Sequence, residues 1–156
     1  MPPITVVLAD HEKLSRDACL RLLRPEKRVR VAAQARSGME TVAAAAKFKP
    51  RILLLDLDLS LGNGVALLPV LRRRSPRTRV ILLIGRASEG RLLEALSYGA
   101  LGYLERKGLE TFLLKAIQAV DTGGAWVPRK MVAKIVDRLA RLTEGSSSYQ
   151  QAAVRE

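Results

Sequence analysis

The chain has 156 residues, 48% of them hydrophobic, and a mean hydropathy of +0.05, enough for one soluble domain with a full core. No apolar run approaches the ~20 residues that span a bilayer, Met1-Pro2-Pro3-Ile4 lacks the features of a signal peptide, and Cys19 as the single cysteine excludes an internal disulfide or cysteine metal cluster, so the cytoplasm is the expected location and no membrane partner is expected. The balance of 27 Lys+Arg against 15 Asp+Glu, net +12, favours polyanionic partners, yet the cations are scattered along the sequence without a zinc finger, aromatic-rich RNA-binding pattern or recognition helix beside them.

Taken in order, Ile4 to Ala9 reads as a strand that ends at Asp10-His11-Glu12. A helix follows with Leu14, Ala18, Leu22 and Leu23 at helical spacing and Cys19 as a small core or boundary residue, stopped by Pro25. Val29 to Ala33 is a short second strand, and Met39 to Phe48 an alanine-rich helix closed by Pro50. Ile52 to Leu55 is a continuous apolar run, the pattern of a strand buried on both faces, and it runs into Asp56. Asn63 is a candidate cap for a third helix through Leu67, Leu68 and Leu71, in which Pro69 must sit in the first turn or cause a kink.

Arg79 to Ile84 is the fourth strand, ending at Gly85. Ser88 is positioned to cap a helix that turns Leu92, Leu93 and Leu96 to the sheet and ends at Gly99. Leu101 to Leu104 is the fifth strand, and a fifth helix from about Leu109 to Val120 buries Leu113, Ala116, Ile117 and Val120 before Gly123-Gly124 breaks it. After Trp126-Val127-Pro128 a sixth helix reaches about Leu142, with Val132, Ile135, Val136, Leu139 and Leu142 as its apolar stripe. The stripe packs on its own domain or a second copy, or else marks a linker helix; the tail from Gly145 reads as polar and flexible. Five alternations of strand and helix predict an α/β fold, a five-stranded parallel sheet with helices on both faces. Asp10 and Asp56 then both stand at strand C-termini, where open α/β sheets build their sites.

Val7-Leu8-Ala9-Asp10, Leu53-Leu54-Leu55-Asp56 and Tyr98-Gly99-Ala100-Leu101-Gly102-Tyr103-Leu104, with Gly123 to Pro128 and the helix after it, resemble the receiver domain of bacterial response regulators. The branch they resemble is the NarL/FixJ (LuxR-type) one, over about Ile4 to Leu142. The resemblance implies the flavodoxin-like strand order 2-1-3-4-5, which makes the first and third strands neighbours and brings Asp10 to Asp56. It implies a receiver at residues 1–124, a linker helix at 125–143, a tail at 144–156, and a DNA-binding domain beyond this chain as the sole route to promoter DNA. A cognate sensor histidine kinase and a homodimer are the implied partners. Asp56 matches the phosphoacceptor, which attacks a phosphohistidine or small phosphodonor in line. Mg²⁺ is held by two acids after the first strand, by the acceptor carboxylate and by a backbone carbonyl two residues on, here that of Asp58. A Thr or Ser after the fourth strand and a Lys after the fifth grip the phosphoryl oxygens, and Tyr103 matches the switch aromatic.

Several positions depart from that pattern. Only Asp10 matches the metal acids; His11 replaces the second, and Glu12 is one position out of register. Gly85 stands at the switch hydroxyl, Ser60 replaces the usual proline, and the lysine position falls on Arg106 unless a one-residue shift brings in Lys107. Imidazole suits Mg²⁺ poorly, and a planar guanidinium is no equivalent of a compact ammonium. The pocket is therefore read as degenerate, with weakened Mg²⁺ binding and weak or phosphorylation-independent signalling, the alternative being an ordinary phosphorylated receiver. Asp56-Leu57-Asp58-Leu59-Ser60 also resembles the DxDx(T/S) motif of haloacid-dehalogenase-type phosphohydrolases, with Asp56 as nucleophile and Asp58 as acid/base. That motif normally follows a first strand, whereas here it follows the third. The leading expectation is a signalling domain without catalytic residues of its own.

Overall fold

The computed structural model describes residues 2–59, 64–85 and 89–155, and side chains as far as residue 144. It divides into two units, Met1–Trp126 and Val127–Glu156. In the first, strands β1 (Ile4–Ala9), β2 (Val29–Ala35), β3 (Ile52–Asp56), β4 (Arg79–Ile84) and β5 (Gly102–Glu105) form one parallel sheet in the order β2-β1-β3-β4-β5. Between them lie α1 (Lys13–Leu23), α2 (Gly38–Phe48), α3 (Leu67–Arg74) and α4 (Glu89–Ser97), with α5 (Leu109–Asp121) after β5. This is the expected three-layer fold and strand order.

Side-chain alternation along the strands builds the layers. Val6, Leu8, Ile52, Leu54, Ile81 and Leu83 face one core, with Cys19 and Leu23 of α1 and Leu113, Ile117 and Val120 of α5. The intervening Val7, Leu53, Leu55 and Leu82 are equally buried on the other face. Each strand is covered on both sides, which is why β3 reads as an unbroken apolar run.

Local chemistry sets the ends of the helices. Ser37 caps α2 by accepting from the Glu40 amide at 3.1 Å, and Glu40 reaches back to the Arg36 amide at 2.7 Å, close to a capping box. Lys49 then turns left-handed (φ 45°) ahead of Pro50. Pro69 lies in the first turn of α3, which needs no amide from it. The proposed caps Asn63 and Ser88 lie outside the described residues, as does Ser60.

The structure corrects the sequence in two stretches. Leu14, expected in the stripe of α1, is 77% exposed, while Ser15, Arg16, Cys19, Leu20 and Leu23 turn inward. Hydrogen bonds from Ser15 and Arg16 to Asp10 fix that rotation. Trp126, read only as part of the chain's exit, adds a parallel bridge beside Gly102: its amide donates to the Leu101 carbonyl at 2.9 Å and its carbonyl accepts from Tyr103 at 3.2 Å. A Cβ at residue 102 would lie 2.8 Å from the Trp126 carbonyl oxygen, so this approach requires glycine.

In the second unit, helix α6 spans Arg129–Arg155, past the expected end near Leu142. Gly145 and the serines after it are weak helix formers but not breakers, and Gln and Ala residues follow. Val132, Val136, Leu139 and Leu142 of its stripe are exposed. Among the described residues no helix is long and apolar enough to cross a membrane.

Leu54→Ala empties a fully buried site and should lower the unfolding free energy in urea by about 3 kcal/mol, whereas Leu14→Ala should change it by less than about 0.5 kcal/mol. Equal losses for the two variants would contradict the rotation of α1.

Candidate functional site

Strands β1 and β3 run side by side with Ala9 opposite Leu55, so the next residues, Asp10 and Asp56, leave the sheet together. Both are fully buried. Two carboxylates this close repel each other unless cations or hydrogen-bond donors intervene, and the structure supplies both. Arg106, at the exit of β5, places Nη2 2.8 Å from Asp56 Oδ1 and 3.5 Å from Asp10 Oδ2. Its Nε donates to Ser15 Oγ at 3.1 Å, and Ser15 Oγ donates in turn to Asp10 Oδ2 at 2.5 Å. His11 Nδ1 lies 2.5 Å from Asp56 Oδ2.

Backbone groups complete the set. Glu12 N–H donates to Asp10 Oδ1 at 3.0 Å and Asp58 N–H to Asp56 Oδ1 at 2.9 Å. Arg16 Nη1 donates to the Asp10 carbonyl at 2.8 Å, anchoring α1 to the end of β1. Every carboxylate oxygen of Asp10 and Asp56 thus has a named donor within the protein.

The ionisation follows from these contacts. Burial alone would raise the Asp56 pKa, but hydrogen bonds from Arg106, His11 and the Asp58 amide, with the charge of Arg106, hold it below 3.8. The hydrogen bond to Asp56 raises His11 above its ordinary 6.5, against a smaller opposing effect of burial. Burial works against the guanidinium of Arg106, yet Asp56 and Asp10 raise its pKa above an already high value. Arg106 is therefore a permanent cation wedged between two acids. Cys19 nearby is driven the other way, its thiol pushed up to about 12 by burial, which leaves it inert as a nucleophile.

Asp10, His11 and Asp56 bring their ligand atoms within 4.8 Å of one another. As a site for Mg²⁺ the set fits poorly. That ion wants an octahedron of oxygens at ~2.0–2.1 Å, whereas one of these groups is an imidazole and the carboxylate oxygens are already hydrogen-bonded. A cation entering between the carboxylates would also meet the guanidinium of Arg106.

The remaining residues singled out from the sequence sort by geometry. Glu12 is exposed and contributes its amide rather than its carboxylate. Lys107 is 86% exposed and pairs with Glu105 at 3.2 Å; Arg106 takes the pocket position, and the one-residue shift is not what the fold adopts. An ideal Cβ on Gly85 would lie 3.4 Å from Arg106 Nη1, so the position without a hydroxyl faces the group that fills the pocket. Tyr103 is half-buried on β5. Asp58 turns its carboxylate to Arg91, whose Nη1 is 3.0 Å away and whose Nη2 holds the Leu57 carbonyl at 2.9 Å. Sequence reasoning missed Ser15, Arg16 and Arg91. The first two could have been found, because Arg16, Cys19, Leu20 and Leu23 form a better helical stripe than one begun at Leu14.

Comparison with known proteins gives a consistent set of likenesses. Residues 6–118 match the family described as response regulator receiver domain. The chain is 28% identical over 138 residues to transcriptional regulatory protein LnrK of Bacillus subtilis (strain 168), covering 88% of this chain and 63% of that protein. It is 29% identical over 143 residues to the DNA-binding transcriptional activator DevR/DosR of Mycobacterium tuberculosis, covering 90% of this chain and 65% of that one. The chain thus spans less than two thirds of the length of these relatives. Among solved structures, the signal receiver domain of the putative response regulator NarL from Mycobacterium tuberculosis superposes with a TM-score of 0.74 at 25% identity, over 79% of this chain and 99% of that one.

His11 is the only histidine, so its NMR titration is unambiguous. Its midpoint should lie above 6.5 in the wild type and fall back in Asp56→Asn. Because the folded value is raised, His11 contributes stability that is complete below 6.5 and lost as pH rises through the folded value; Asp56 contributes stability present above 3.8 and lost as pH falls through its depressed folded value. The unfolding free energy should therefore decline as pH rises from 6.5 towards about 8, below the thiol range of Cys19, and decline less over that window in His11→Gln. A wild-type midpoint at or below 6.5 would break the His11–Asp56 pairing.

Proposed function

The chain belongs to the response regulator receiver domain family, in its NarL/LuxR-type branch, and from that premise we propose that it is the input module of a transcriptional regulator whose pocket works with little or no phosphorylation. The observation that carries this reading is the guanidinium of Arg106 between Asp10 and Asp56. Asp56 keeps the phosphoacceptor position, at the C-terminal end of the third strand. A phosphodonor approaching it would have to displace Arg106 from one oxygen and His11 from the other. Breaking the Arg106–Asp56 pair by removing one partner costs about 3–5 kcal/mol, and the half-exposed His11 adds less. In the wider family a divalent ion supplies the positive charge that a phosphoryl group needs. Here a fixed side chain supplies it, so the pocket holds its charge-balanced arrangement without a ligand.

Asp56 would then act as the keystone of a structural network, and the output would be set by protein contacts or another ligand. The exposed Val132, Val136, Leu139 and Leu142 support a linker role for α6, meeting an output domain or a second copy of the chain. Homodimerisation, a cytoplasmic location and a residual encounter with a sensor histidine kinase belong to the same reading. The haloacid-dehalogenase alternative finds no support in the geometry: the carboxylate that would be its acid/base, Asp58, is bound to Arg91, and the family is one of signalling domains.

Incubation with acetyl phosphate and Mg²⁺, followed by intact-mass measurement and size-exclusion chromatography, tests the proposal. The expected result is little adduct on the wild type and the same elution volume with and without donor. Stoichiometric modification that disappears in Asp56→Asn, with a change of oligomeric state, would overturn it in favour of an ordinary phosphorylated receiver.

A further inference from the structure

The cations that are scattered in the sequence are gathered in the fold. In a parallel sheet every connection that enters a strand lies at one edge, here the edge opposite Asp10 and Asp56. The four connections entering β2 to β5 carry Arg24, Lys27, Arg28, Lys49, Arg51 and Arg77 against a single acid, Glu26. Helix α3 also ends at this edge, on Arg72, Arg73 and Arg74. The connections that leave β1 and β3 hold the acids Asp10, Glu12 and Asp58 instead. The connections that leave β2 and β5 add Arg36, Arg106 and Lys107 at that opposite end, so its charges are mixed where those of the basic edge are nearly all of one sign.

Backbone hydrogen bonds lock the basic edge into a row. The Arg28 carbonyl accepts from Ile4 at 2.7 Å, the Arg51 amide donates to Thr5 Oγ1 at 3.0 Å, and the Arg51 carbonyl accepts from Arg79 at 3.0 Å. Pro25, Pro50 and Pro76 stiffen the three connections into β2, β3 and β4. Two clefts open on this edge. One, of about 960 Å³, is lined by Lys27, Arg28 and Arg51 with Asp121; the other, of about 540 Å³, by Arg72, Arg77 and Arg79 with Tyr98.

Compensation of helix C-termini accounts for part of this charge. Lys49 Nζ donates to the Arg74 carbonyl, Arg79 Nη1 to the carbonyls of Val120 and Asp121, and Arg51 pairs with Asp121 at 2.8 Å. Lys27, Arg28, Arg72 and Arg77 are different: they are exposed, and none has an ion-pair partner among the described residues. Two exposed aromatics lie at the same edge, Tyr98 in the connection to β5 and Phe48 at the end of α2, where Lys47 Nζ stands 5.2 Å from its ring centre. Guanidinium forks suit phosphate oxygens, and exposed rings beside them offer stacking faces for bases. An acidic peptide or an anionic lipid surface would use the charge without needing the rings.

We propose that the N-terminal edge of the sheet, centred on Lys27, Arg28, Arg72 and Arg77, is a sequence-independent binding surface for the phosphodiester backbone of nucleic acid. Contact with DNA then does not depend solely on a domain beyond this chain. The receiver itself holds the nucleic acid by charge, and any sequence reading is left to another element. The surface lies at the far end of the strands from the Asp56 pocket and stands independently of how that pocket works.

Fluorescence anisotropy of the full chain with a short labelled duplex and a labelled single strand, both of arbitrary sequence, tests this between about 50 and 200 mM salt. At least one probe should bind, with log K falling linearly with log salt. Charge reversal at the edge, in Arg72→Glu/Arg77→Glu and separately in Lys27→Glu/Arg28→Glu, should weaken binding about tenfold and flatten the salt slope by roughly one per lost phosphate contact. All four side chains are exposed, and circular dichroism of each variant confirms its fold. The proposal is overturned by absence of binding at the lower salt, or by binding that the edge variants leave unchanged. It is equally overturned if only Lys134→Glu/Arg138→Glu on α6 abolishes binding, or if polyglutamate or phosphatidylserine vesicles bind and neither nucleic acid does.

Discussion

Two buried carboxylates at the ends of adjacent strands repel each other unless a positive charge or hydrogen-bond donors stand between them. In this protein that charge is covalently built in, as the guanidinium of Arg106. Much of the surrounding structure depends on it. Ser15 bridges Arg106 to Asp10, Arg16 ties α1 to the Asp10 carbonyl, and the resulting rotation of α1 puts Leu14 into solvent. Cys19, Leu20 and Leu23 take the core positions of the helix instead. The pocket and the packing of α1 are a single construction.

The same constraint makes the substitutions in the pocket intelligible as a set. The guanidinium sets Nη2 against both acids while its Nε donates to Ser15 Oγ, a span of donors that a compact ammonium does not have. Gly85 presents no side chain to the face of that guanidinium, and His11, where a second acid would stand in the family pattern, becomes a hydrogen-bond partner for the free oxygen of Asp56. Each of these residues supports the arrangement with Arg106 in place. At the opposite end of the strands the sheet collects cations with few acids, whereas this end mixes both signs, so the domain presents two chemically distinct faces.

Most of the fold was legible because its signals are local. Apolar runs bounded by Pro and Gly marked five strands, and the spacing of Leu113, Ala116, Ile117 and Val120 marked the buried face of α5. The strand order came only with the family resemblance, since a hydrophobic pattern carries no information about which strands are neighbours. Asp10, Asp56 and Arg106 were readable from motif and spacing, but their contacts were not. That Arg106 rather than Lys107 enters the pocket is decided by the turn after β5, where Lys107 points to solvent beside Glu105. The basic edge was hidden for a related reason: residues separated by dozens of positions become neighbours only when parallel strands align their starts. Trp126 pairing beside Gly102 was likewise invisible, because a single bridge leaves no periodic trace.

The central claim is that Arg106 stands where a divalent cation would otherwise be needed, and the most direct measurement is a Mg²⁺ titration followed through the His11 ring resonances in the wild type and in Arg106→Met. The wild-type signals should stay unmoved through millimolar Mg²⁺, while Arg106→Met, with its two acids uncompensated, should show a saturable shift. Saturable binding to the wild type, unaffected by the loss of Arg106, would contradict the account.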